Sequence, residues 1–219
     1  MDDMTQQNRP HQGQPVLIAG EPIEQAKAAM IMLHGRGASP EDILGLTTEI
    51  HQPGFVYLAP QAADYTWYPY SFLSPIEKNE PGLSSALTVI TDLLAHLDAS
   101  GISAERTILL GFSQGACLSL EFAARNARRY GGVAGLSGGL IGPDGIDRNY
   151  AGSLANTPVF LGCSDRDQHI PKERVDLSAQ VFEKLGAAVT ERIYPRMGHT
   201  INEDEITFVI EMMKGLLVV

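Results

Sequence analysis

The chain has 219 residues, 44% hydrophobic and 19% charged, with a formal net charge of −10. That supplies the core of one α/β domain, and two full domains would be cramped. The acidic balance excludes the basic faces that bind nucleic acid or dock on anionic membranes, and no run approaches the roughly 18 apolar residues of a stable membrane insertion.

Residues 1–14 read as a polar tail, ahead of a single domain expected over 15–219. The tail lacks the basic and apolar regions of a signal peptide, which points to the cytoplasm. Short apolar runs at 15–19, 28–33, 55–59, 107–111, 132–136, 158–162 and 189–194 predict strands. Helical spacing covers 40–50, 82–99, 114–128, 172–185 and 202–217. Continuous apolar strands alternating with helices predict an α/β fold, its mostly parallel sheet covered on both faces. No helix separates the first two strands, so they are expected to pair as an antiparallel hairpin at one edge. The long connection between Gln61 and Pro81 holds Trp67, Tyr68, Tyr70, Phe72 and Leu73. A loop of that length inside a domain is usually functional, and its aromatic content argues against disorder. The two cysteines, Cys117 and Cys163, lie in apolar runs and read as reduced thiols.

The sharpest signal is Gly111-Phe112-Ser113-Gln114-Gly115, which follows one expected strand and opens one expected helix. A strand–turn–helix of this pattern lifts a serine out of a sharp turn at a helix N-terminus, where N–H groups favour negative charge. Gly135-Leu136-Ser137-Gly138-Gly139 has the same spacing, but turn residues follow it and no helix. Ser137 is therefore expected to cap its strand at the rim of the site.

A serine needs a base, and the base needs an orienting acid. Only His169 and His199 follow Ser113. His199 lies between the last strand and the last helix, where the base belongs. Asp165 and Asp167 both qualify as the acid, and alternation does not separate them. One oxyanion donor is expected at the Gln114 N–H. The other is expected from Arg36 in His34-Gly35-Arg36-Gly37, through its main-chain N–H, so that the side chain need not participate. Four-cysteine zinc sites are excluded by count, and His34 lacks a partner at ligand spacing. Neither metal nor cofactor is expected.

These residues resemble the carboxylesterase/phospholipase family of α/β-hydrolases, which includes acyl-protein thioesterases. The resemblance rests on Leu33-His34-Gly35-x-Gly37, Ala59-Pro60, Trp67-Tyr68, Glu80-Pro81-Gly82-Leu83, the Ser113 motif, Asp167-x-x-Ile170-Pro171 and Met197-Gly198-His199-x-Ile201. It implies a minimal α/β-hydrolase fold with no large cap, and a Ser113–His199–Asp167 set that cleaves carboxylic esters of short to medium acyl chains. Thioester or lysophospholipid hydrolysis is the alternative, and a non-catalytic binding module on the same fold is the rival from another class. The expected partner is a small-molecule ester or thioester, and a homodimer stays open. The resemblance also puts Trp67 and Leu73 nearest the acyl group. Two positions depart from the family pattern. Cys163-Ser164 stands where His-Gly is common, and Tyr68-Pro69 stands where Phe-Asp is common after Trp67.

Overall fold

The computed structural model describes residues 9–218, so most of the polar tail lies outside the described residues. The sheet has seven strands: β1 Val16–Gly20, β2 Ala28–Leu33, β3 Phe55–Pro60, β4 Thr107–Phe112, β5 Gly132–Leu136, β6 Pro158–Ser164 and β7 Ala188–Tyr194. The helices are α1 Pro40–Leu44, α2 Thr47–Ile50, α3 Gly82–Ala99, α4 Gln114–Arg125, α5 Lys172–Lys184 and α6 Glu203–Leu217. The strand order is β1-β3-β2-β4-β5-β6-β7, parallel except for β1.

Strand alternation sorts the core into two layers. Ala29, Ile31 and Leu33 point to one face, packed with apolar residues of α3, α4 and α5. Ala28, Met30 and Met32 point to the other, packed with Ile43 of α1, Ile50 of α2 and Val209 and Met213 of α6. Every β2 residue is buried for that reason. Each large side chain so buried contributes about 1.5–3 kcal/mol relative to exposure.

The expected hairpin does not form. β1 pairs antiparallel with β3, Val16 opposite Pro60, and β2 lies inside the sheet between β3 and β4. Burial explains the arrangement. β1 alternates exposed and half-buried positions, which suits an edge, whereas an all-apolar β2 needs a strand on each side and helices on both faces.

The helix expected over 40–50 is two short ones. A capping box between Ser39 and Asp42 starts α1, with Pro40 in its first turn. At Gly45 it stops. The Thr47 and Thr48 hydroxyls then bond back to the Leu44 and Gly45 carbonyls, which competes with a continuous helix. Among the described residues no helix lies between β5 and β6, where a large cap would be inserted. None is long and apolar enough to cross a membrane.

Candidate active site

Parallel strands place their C-terminal ends along one edge, and the loops there build the site. β4 ends at Phe112, and Ser113 takes φ 55° and ψ −116° before α4 begins. Such a conformation costs a non-glycine residue about 1–3 kcal/mol. The flanking glycines make room for it. A Cβ on Gly111 would drive into the Gly115 carbonyl, and one on Gly115 into the Leu33 carbonyl.

His199, in the loop after β7, brings Nε2 to 2.8 Å from Ser113 Oγ and Nδ1 to 2.6 Å from Asp167 Oδ2. An ionised carboxylate only accepts, so Nδ1 carries the proton and the Nε2 lone pair faces the serine hydroxyl. The Asp167 side chain is fully buried. Its Oδ1 accepts the N–H groups of His169 and Ile170 at 2.8 and 3.1 Å. Burial pushes this carboxyl up, but the hydrogen bonds from His199 and the two main-chain N–H groups outweigh it. The group titrates below the ordinary aspartate range and stays ionised.

The structure separates the two aspartates that alternation leaves open. Asp165 is exposed and accepts the Arg196 N–H at 2.6 Å. His169 stands edge-on to the His199 ring, 4.8 Å between centroids, with no bond to Ser113 among the described residues. Ser137 shares the left-handed φ, at 54°. It is wholly buried rather than at the rim, and its Oγ reaches only the Thr200 carbonyl at 3.5 Å.

A cleft of about 630 Å³ opens over Ser113. Gly35, Arg36 and Gln114 line it beside the serine, with Tyr68, Tyr70, Phe72, Phe112 and Ile170 as walls. Gln114 is the first residue of α4, so its N–H has no intrahelical acceptor. Cys117 forms part of the floor. Burial pushes its thiol up to about 12, which keeps it protonated and a poor nucleophile.

Trp67 and Leu73 do not line the cleft, contrary to the expectation for both. Trp67 is fully buried, its Nε1–H bonded to the His34 carbonyl at 2.9 Å. The rings of His11 and His34 flank it at 5.4 and 5.0 Å. Leu73 packs onto the core beneath. An indole this large is worth more as the anchor of the loop than as a wall, and the smaller aromatics after it face the ligand space.

Three side chains that hold this loop were not legible in the sequence. The Arg36 guanidinium donates to Thr66 Oγ1 and to the carbonyls of Tyr68, Pro69 and Tyr70, at 2.7–3.0 Å. Gln114 accepts the Trp67 N–H at 2.9 Å and donates to the Tyr68 carbonyl at 2.8 Å. His11, in the stretch read as a free tail, is buried and bonds the Trp67 carbonyl and the Ala63 N–H at 2.9 and 3.0 Å. Burial holds the His11 and His34 rings neutral by lowering their pKa. These contacts join residues 30–56 positions apart, and no local pattern marks them.

Known proteins resemble this chain in sequence and fold. The family described as Phospholipase/Carboxylesterase matches residues 16–217. A phospholipase/carboxylesterase from Dyadobacter fermentans is 42% identical with a TM-score of 0.88, covering 92% of this chain and 97% of that one. Acyl-protein thioesterase 1 of Gibberella zeae is 36% identical over 113 residues, 49% of this chain and 46% of the relative. Its counterpart in Aspergillus fumigatus is 32% identical over 132 residues, 59% and 55% of the two chains. The matched stretches thus span about half the length of those two thioesterases. A family match that runs almost end to end, on a sheet that superposes closely with a relative's, means that this chain belongs to the phospholipase/carboxylesterase family of α/β-hydrolases.

Proposed function

We propose that this chain is a serine hydrolase that cleaves carboxylic esters of short to medium acyl chains through an acyl-enzyme. The observation that carries the reading is the unbroken hydrogen-bond relay from Ser113 through His199, both lining the cleft, to a buried, ionised Asp167. His199 Nε2 takes the Ser113 proton as Oγ attacks the acyl carbon. The Arg36 and Gln114 N–H groups hold the oxyanion. The imidazolium, steadied by Asp167, protonates the leaving alkoxide. Water then attacks the acyl-enzyme and His199 removes its proton; as the tetrahedral intermediate collapses, the imidazolium returns that proton to Ser113 Oγ and the free acid leaves. Every group in this route belongs to the chain. The two buried, unpaired thiols fit a reducing compartment, the cytoplasm.

A thioester would follow the same steps with a thiolate leaving group, and the names of the fungal relatives favour it as a second reading. A panel of esters and thioesters of increasing acyl length, run with the wild type and Ser113→Ala, tests both. Each buried CH₂ adds about 0.8 kcal/mol only while it leaves water. In an open cleft kcat/KM therefore rises over the first carbons and then flattens, without a jump at the critical micelle concentration. No Ser113-dependent turnover of any member would overturn the reading in favour of a binding module.

A further inference from the structure

The geometry points to Ser164 and Asp165 as positioning residues for the catalytic base. This inference rests on the reading of His199 as that base. The β6–β7 ladder pairs Ser164 with Tyr194 and then ends, because Pro195 follows and Arg196 and Gly198 take left-handed φ values of 57° and 82°. Backbone in that conformation cannot continue a parallel ladder. Ser164 at the end of β6 and Asp165 just after it continue the contacts instead. Asp165 donates its N–H to the Tyr194 carbonyl at 3.1 Å and accepts the Arg196 N–H on Oδ1 at 2.6 Å. Ser164, fully buried, accepts the Gly198 N–H on Oγ at 3.1 Å and the Arg166 N–H at 3.1 Å.

Pro195–His199 is thus pinned at alternate residues, 196 by Asp165 and 198 by Ser164, before His199 meets Asp167. A glycine at 164, the residue the family pattern favours there, provides no such acceptor. The hydroxyl fixes the Met197–Gly198 peptide, one residue ahead of the base, and through it the distance from Nε2 to Ser113. The carboxylate holds Arg196 in the left-handed, non-glycine φ that the turn requires.

The test compares Ser164→Gly, Asp165→Ala and Asp165→Asn with the wild type, each titrated to its end point with a fluorophosphonate so that rates refer to reactive sites. The expected result is a fall in kcat of roughly tenfold for Asp165→Ala and severalfold for Ser164→Gly, since small misplacements of a reacting group cost up to about 10²-fold. KM stays within about twofold. Asp165→Asn retains an acceptor for the Arg196 N–H and restores most of the rate. If the wild type fails to label, the reading of the site falls. If it labels and kcat per site is unchanged in Asp165→Ala and Ser164→Gly, this inference alone is overturned. A loss in Asp165→Asn equal to that in Asp165→Ala would overturn it too, because charge and not hydrogen bonding would then be the cause.

Discussion

Ser113 and Ser137 occupy the same motif at the ends of adjacent parallel strands, with φ values of 55° and 54°. Among the described residues, only one has an imidazole within hydrogen-bond reach. Ser113 opens α4 and lies 2.8 Å from His199 Nε2. Ser137 is sealed from solvent, and the chain after it forms no helix. A glycine-flanked serine in a strained turn is therefore not sufficient. The helix that follows supplies free N–H groups and exposure, and a base within hydrogen-bond reach supplies the driving force.

The comparison breaks most visibly at the hydroxyls. Ser113→Ala should lower kcat by roughly 10⁴-fold or more, since loss of a nucleophile leaves only oxyanion binding and positioning. Ser137→Ala should stay within severalfold, because its 3.5 Å contact with Thr200 is too long to carry much energy. Steady-state kinetics on a p-nitrophenyl ester separates the two.

The aspartates repeat the contrast one loop further on. Asp167→Asn leaves the wrong imidazole tautomer and should cost on the order of 10⁴-fold in kcat, whereas Asp165→Asn keeps its acceptor and most of the rate. The reverse ranking would move the acid to Asp165.

At the oxyanion hole, Arg36→Pro removes the main-chain donor and should lose about 10²-fold in kcat, with circular dichroism to check the fold. Arg36→Ala keeps that donor but releases the Thr66–Tyr70 loop, so KM should rise severalfold with a smaller change in kcat. Equal, large losses in kcat would assign the guanidinium to the chemistry.

The smallest effect lies beneath Ser137, where its N–H bonds the Gly162 carbonyl. A Cβ on Gly162 would meet the Glu205 carboxylate. Glu205 is fully buried, and its Oε1 has no partner among the described residues. Burial raises its pKa to about 7, above the ordinary glutamate value near 4.5. The folded state therefore holds this proton more tightly than the unfolded chain. The carboxyl costs nothing below about pH 4.5, and stability falls as pH rises from there through 7, by about 3 kcal/mol in all. Glu205→Gln should remove that fall while leaving activity at Ser113 intact. Thermal unfolding at pH 5 and pH 8 reads it, and an unchanged Tm difference between the two pH values would contradict it.

What was legible follows from locality. The turn around Ser113, the loop position of His199 and the order of strands and helices all depend on neighbours in sequence. The partner of β1, β3 in place of β2, did not, because it reflects competition for burial among strands. Nor did the seat of Trp67, which is set by His11, His34, Arg36 and Gln114 arriving from distant segments. Asp167 was separated from Asp165 only by family resemblance. Its distinguishing feature, two main-chain N–H groups on one oxygen and the imidazole on the other, exists only in three dimensions.

The proposed mechanism assigns activation to Ser113 alone. A fluorophosphonate reacts covalently with an activated serine hydroxyl, and peptide mapping of the labelled protein locates the adduct. A single adduct on the peptide that carries Ser113, absent from Ser113→Ala, is the predicted result. An adduct on Ser137, or a fully folded wild type that takes up no label, would contradict the account.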